Sequence, residues 1–198
     1  MISLGAVLIL SALLLFVYNQ WEDQKAGESA EKMLADVQTA ITQQIESSPA
    51  QPEKEESAER EETEPEETKI SMINGYNYIG VLNLPTLNLE LPVLSDCDEA
   101  LLKVAPCRDF GDLATDDLVI AAHNYRRHFG RLSQLSYGDQ VTFTDMDGNV
   151  HVYQVAEISM IAPTDVNLVA DSAYELVLYT CDYTNQNRIM VGCRKIVE

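Results

Sequence analysis

Three residues able to cooperate in acyl transfer sit at the ends of apolar runs. The stretch "LVLYTCDYTNQNRIMV", residues 176–191, ends one apolar run on Cys181 and begins the next on Arg188, with six polar residues between. Two runs of strand character joined by so short a connection make a hairpin, in which the flanking residues face each other across the ladder. "DLVIAAHN" carries a third group, His123, to the end of another apolar run, just before the polar "YRRHFGR". A thiol and an imidazole can share a proton, so that a thiolate stands beside a usable acid. The thiolate attacks an amide carbonyl and the imidazolium protonates the departing amine. An arginine, a permanently charged fork of donors, neutralises the oxyanion or holds a peptide backbone. Spacing alone leaves a packed cysteine and two unrelated polar residues as the commoner arrangement, because short motifs often match by chance.

The elements that must position these residues read as short β runs. "YIGVLNL" ends at Pro85, "LNLELPVL" follows, and "DLVIAAHN", "QVTFTD" and "VHVYQVAEISMI" come later, the last two joined through the Asp-Gly turn signal of "MDGN". Ser95 is the expected N-cap of a short helix stopped by Pro106, and "PTDVNLV" is read as one helical turn. Many short strands without βαβ alternation predict a mainly antiparallel sandwich or closed barrel over residues 70–198, a length sufficient for one core.

The rest of the chain is a leader. Ile2–Val17 is uncharged and almost wholly apolar, and with help at its ends just reaches across a bilayer core of roughly 30 Å. Tyr18 and Trp21 stand where interfacial aromatics would lie, and no basic n-region precedes the run, so residues 1–21 are expected to be a retained transmembrane signal anchor. Residues 22–46 place Ala30, Met33, Leu34, Val37, Ala40, Ile41 and Ile45 on one helical stripe, expected as a stalk helix or one packed on the domain or on a partner. Residues 47–69 hold three prolines and, between 53 and 67, nine glutamates, the composition of an acidic disordered tether. The net charge is −19; residues 1–69 carry 15 acids and 5 bases, leaving 17 and 8 for the domain, so nucleic acid is not an expected partner. An acidic rather than basic flank after the apolar run places the domain on the extracytoplasmic side.

"VLYTC" followed by Arg188 resembles the sortase signature, with Leu178, Thr180 and Cys181 matching and Val177 in place of the usual first Thr. "VIAAHN" is similar to the sortase histidine strand, and "YIGVLNLPTLNLELPVL" to the opening strands of that family. The matches cover residues 76–198 in the family's order. The resemblance implies a closed, mixed β-barrel of about eight strands with short helices, and a cysteine transpeptidase on the outer face of a Gram-positive cell membrane. By analogy Cys181 forms a thioester with an LPXTG-like sorting signal, His123 protonates the leaving group, and Arg188 stabilises the oxyanion or positions the peptide. Thr180, a hydroxyl beside the nucleophile, and Asn124, beside His123, are the implied substrate contacts. The implied partners are LPXTG-like surface proteins or pilins, a peptidoglycan precursor or pilin lysine as amine acceptor, and membrane lipid. The connection from Pro163 to Tyr174 is too short for the helical insertion common in class B, and the tether lacks the Asp-Pro-aromatic lid motif of many pilin-polymerising members, so no subclass is assigned.

Two rival readings stay open on the sequence: an extracytoplasmic cysteine hydrolase, and a non-catalytic surface β-domain in which Cys181 is structural. The four cysteines include no C-x-x-C and there are three histidines, so no metal or other cofactor is expected; Asp96, Asp98 and Asp182 fit no calcium loop. Cys97 and Cys107 bridge only if their Cα atoms approach within about 7 Å. Arg126, Arg127 and Arg131 form a basic cluster, read as a solvated loop or a contact to lipid phosphate.

Overall fold

The structure, a computed structural model, describes residues 2–47 and 67–196; most of the expected tether lies outside the described residues. Nine strands are described: β1 (Ser71–Ile73), β2 (Tyr76–Leu84), β3 (Leu89–Leu94), β4 (Cys107–Phe110), β5 (Leu118–Ala121), β6 (Gln140–Asp145), β7 (Val150–Ile161), β8 (Leu176–Cys181) and β9 (Arg188–Lys195). Helix α1 runs Ile2–Ser47 and α2 Val166–Ala170. Eight strands close into a barrel in the order β2-β3-β4-β5-β8-β9-β7-β6, with β6 returning to β2. Strand β1 lies outside that circuit, paired with β2 alone. The barrel is mixed, because β3–β4 and β5–β8 are parallel.

Closure depends on Gly80. It occupies a bulge where β2 is paired with both β3 and β6, its φ is +153°, and an added Cβ would stand 2.2 Å from the Thr144 carbonyl oxygen. Only a residue without Cβ lets β6 come that close. Alternate residues of the strands fill the interior, among them Leu82, Leu118, Ile120, Phe143, Leu176, Leu178 and Val191. The opposite parity of β5, β8 and β9 places Val119, Val177 and Met190 in an outer cluster with Val169 of α2. Cys181, Tyr179 and Arg188 share that outer parity.

Helix α1 lies on the barrel. Val37 and Ile41 are buried with Tyr78, Val81, Leu94 and Met146, and Ala30 joins the barrel's main core. Gly27 permits the contact, since a Cβ there would fall 1.8 Å from Cδ of Arg127. The stripe read from sequence is therefore the docked face from Ala30 to Ile41, with Ile45 exposed, and one continuous helix spans the residues read as anchor and as stalk. The expected transmembrane helix is not carried by the structure: among the described residues no helix is long and apolar enough to cross a membrane. Val7 to Leu10 and Leu13 to Val17 of α1 are exposed.

Before β4 the chain makes a 3-10 turn at Leu101–Lys103 rather than the expected helix capped by Ser95. The cap is Asp98, whose carboxylate accepts from the Leu101 backbone N–H at 2.7 Å, while the Ser95 hydroxyl donates to Asp96.

Candidate active site

Cys181 ends β8 and Arg188 opens β9, and the two are directly opposed in the antiparallel register. Arg188 Nη1 lies 3.9 Å from Cys181 Sγ, with both side chains half-buried. Asp182 shapes the connection. Its carboxylate accepts from the Thr184 backbone N–H and hydroxyl, the Gln186 N–H and the Asn187 amide, while its own N–H donates to the Asn187 carbonyl at 2.9 Å. A loop held from within by one carboxylate fixes the cysteine opposite the arginine.

His123 arrives from the other side of β8. Strands β5 and β8 are parallel with Ala121 beside Tyr179, and two side-chain bonds extend that register past the strand ends. The Thr180 hydroxyl donates to the Ala122 carbonyl at 2.8 Å, and the Asn124 amide to the Asp182 carbonyl at 3.1 Å. His123, between those two bonded neighbours, continues β5 at the level of Cys181 on β8. The structure thus gathers Cys181, Arg188 and His123 at one end of the barrel, where Thr180 is buried and Asn124 ties the histidine strand to the cysteine loop.

The imidazole stands in poor solvent. His123 Nε2 is buried and has no hydrogen-bond partner among the described residues, and the ring packs 5.1 Å from that of Tyr125. Burial, then the Lys103 ammonium, lowers its pKa, while Glu99 and Glu22 pull the other way. At neutral pH the free site therefore holds mostly neutral imidazole. A second histidine, His128, lies fully buried beyond Tyr125, and burial pushes it down to about 4.

Two arginine side chains of the 123–131 loop engage neighbouring structure: Arg127 lies 3.6 Å from Glu31, and Arg131 donates to the Leu87 carbonyl at 2.6 Å. Arg126 is tied through its backbone N–H, which donates to Asp23 at 2.7 Å, while its side chain is exposed. All four cysteines are free thiols, with Cys107 and Cys193 fully buried. Among the described residues, no group of three His, Cys, Asp or Glu side chains is arranged to hold a metal ion.

Asp182, Asp109 and Tyr179 were not singled out by sequence reasoning as site residues. The Tyr179 hydroxyl donates to Asp109, and the Arg188 guanidinium carbon lies 5.5 Å from the centre of the Tyr179 ring. The position of Tyr179, two residues before the cysteine on the same strand face, was the available signal.

Comparison with known proteins bears on the family and the fold. Residues 82–196 match the sortase domain model. Sortase A of Bacillus anthracis is 28% identical over 115 residues, covering 55% of this chain and 54% of that protein, so the chain spans little more than half the length of that relative. Among solved structures, sortase A from Corynebacterium diphtheriae has a TM-score of 0.54 at 22% identity, covering 62% of each chain. Sortase C-1 from Actinomyces oris has a TM-score of 0.52 at 20% identity, covering 60% of this chain and 73% of that one. The structures share the fold, the domain match covers more than half of the sequence, and the cysteine, histidine and arginine converge at one strand end: the chain belongs to the sortase family.

Proposed function

We propose that this protein is a cysteine transpeptidase that cleaves an LPXTG-like sorting signal through a thioester and joins the new carboxyl end to an amine. The opposition of Cys181 and Arg188 across β8 and β9 carries the reading. The Cys181 thiolate adds to the scissile carbonyl, and the Arg188 guanidinium neutralises the developing oxyanion or holds the peptide backbone. Protonated His123 gives its proton to the departing amine as the C–N bond breaks, leaving the thioester. An incoming amine, from a peptidoglycan precursor or a pilin lysine, then attacks the thioester; neutral His123 accepts its proton and Cys181 leaves as the thiolate, which restores the starting pair. Thr180 and Asn124 serve by holding the histidine and cysteine strands in register, and the partly exposed Asn124 flanks the bound peptide.

A hollow of about 650 Å³ beside β9, lined by Ile161, Leu168, Tyr174 and Met190, opens on the outer barrel face that carries Cys181 and suits the apolar part of such a signal. The exposed apolar run Val7–Val17, with its neighbours in sequence, attaches the enzyme to the extracytoplasmic face of a membrane. The substrates are LPXTG-like surface proteins or pilins.

The test incubates the full chain in detergent micelles with a panel of LPXTG-like peptides and an added amine, followed by intact-mass spectrometry. A peptide adduct on Cys181 that resolves to an amide is expected. A thioester released only to water with amine in excess would instead make the protein a hydrolase, and no adduct on a thiol that still alkylates would favour a surface β-domain.

A further inference from the structure

Arg188 lacks the partner that usually fixes a guanidinium. Among the described residues no carboxylate lies within 4.0 Å of it, and its recorded side-chain neighbours are the Cys181 sulfur at 3.9 Å and the Tyr179 ring at 5.5 Å. An arginine side chain so placed has many rotamers open to it unless the ring holds it.

The ring is itself held by an irregularity in the barrel. Strand β4 pairs with β5 as Arg108 with Ile120 and Phe110 with Val119, which leaves Asp109 as an extra residue in a bulge. A bulge re-aims a side chain. Here the carboxylate reaches past β5 to β8 and accepts the Tyr179 hydroxyl. The β5 residue in register with Tyr179 is Ala121, which is also the partner of Cys107 on β4. A larger side chain at that point would stand between the bulge and the phenol. Burial and the Asp109 carboxylate both raise the Tyr179 pKa, so the phenol stays a donor throughout the working pH range.

We propose that Asp109 and Tyr179 form a positioning pair for Arg188: the bulged carboxylate fixes the phenol, and the phenol ring holds the guanidinium beside the Cys181 sulfur. The inference rests on Cys181 being the reactive thiol of the function proposed above. It extends the site from three residues to five and gives the bulge a purpose. A tyrosine that merely fills space over Met190 and Val177 would support neither the hydrogen bond to a bulged aspartate nor a dependence on Arg188.

The experiment is a double-mutant cycle read by iodoacetamide alkylation of Cys181, quantified by peptide mass in the full chain in detergent micelles. It needs no knowledge of the peptide substrate. Tyr179→Phe keeps the ring and removes the bond, Asp109→Asn keeps an acceptor and removes the charge, and Tyr179→Leu removes the ring. Arg188→Ala removes the charge nearest the sulfur and is expected to slow alkylation about tenfold. Tyr179→Phe and Asp109→Asn are each expected to slow it about threefold with Arg188 present, and to have no effect in the Arg188→Ala background. Equal effects in both backgrounds, or none in either, would overturn the proposal. Thermal unfolding of each variant separates loss of fold from loss of positioning, and Asp109→Asn, which changes no volume, stands if Tyr179→Leu does not fold. If coupling is found but no peptide ever forms an adduct, the transpeptidase reading fails and the positioning pair survives. The reverse result spares the function and removes the pair.

Discussion

Arg188 Nη1 stands 3.9 Å from Cys181 Sγ because the two residues are opposed across the last rung of β8 and β9. One rung of an antiparallel ladder thus supplies both the nucleophile and the charge nearest to it. Arg188→Lys keeps the charge but not the planar fork. With a responsive LPXTG-like peptide it is expected to reduce kcat by roughly 10²–10³-fold, the usual loss on removing an oxyanion donor, with KM changed far less. Cys181→Ala should leave no adduct in the mass spectrum.

The pH profile should follow the charges around His123. Lys103 lowers its pKa because a cation disfavours the imidazolium, and Glu22 and Glu99 favour it. Replacing Lys103 with Met therefore raises the histidine pKa, and Glu22→Gln lowers it further. In a profile of kcat/KM against pH, the limb on which the acid form of the pair is lost should move to higher pH in Lys103→Met and to lower pH in Glu22→Gln. Movement in the same direction for both variants would remove His123 from the acid role.

His128 makes the fold sensitive to acid. Its folded pKa, about 4, lies below the ordinary value of 6.5, so the unfolded chain takes up this proton first as pH falls. Stability is fully present above pH 6.5 and is lost between 6.5 and 4, by up to roughly 3 kcal/mol from this residue. His123, lowered by burial as well, adds in the same direction. Urea unfolding at pH 7, 5.5 and 4.5 should show the loss, and His128→Phe should flatten it.

The four thiols should divide by exposure. Cys181 and Cys97 are partly exposed, whereas Cys107 and Cys193 are fully buried. Cys97 and then burial raise the Cys107 pKa, and burial pushes Cys193 up to about 12. Native alkylation followed by peptide mapping should label Cys181 and Cys97 alone, and all four after denaturation.

Removal of α1 should be costly. Ile41 is 6% exposed within the cluster of Tyr78, Leu94 and Met146, and Ile41→Ala is expected to lose roughly 2–4 kcal/mol in a denaturant melt. A chain begun at Ile70 would uncover the whole patch, and should self-associate by size-exclusion chromatography where a chain begun at Glu22, which keeps the docked part of the helix, does not.

Much of the site was legible because it is built on local pattern. Cys181 and Arg188 flank one short connection, and His123 announces itself as the polar end of an apolar run. The barrel's strand order was not legible from composition, since β5 and β8 pair in parallel across more than fifty residues and no turn chemistry marks such a contact. The bond from Asp109 to Tyr179 was hidden for the same reason, and because a one-residue bulge leaves no trace in alternation of polarity. Asn124 and Thr180 were read as facing substrate; their side chains are bonded to backbone carbonyls that sequence cannot place. The docking of α1 lay among the alternatives, since an apolar stripe says that a face is covered and not by what.

The end of α1 and the start of the barrel meet at one turn. Ile45 packs against Gly148, and Lys69 pairs with Asp147 at 2.6 Å. The last turn of α1 and Lys69 therefore lie at the same corner of the barrel. Height is set by the stretch of helix from Val17, the last residue of the exposed apolar run, to Ala26, the first buried against the barrel. Nine residues of helix rise about 14 Å. On the membrane attachment proposed above, the enzyme would work at a fixed short distance from the surface, and its substrates would have to be delivered to that height.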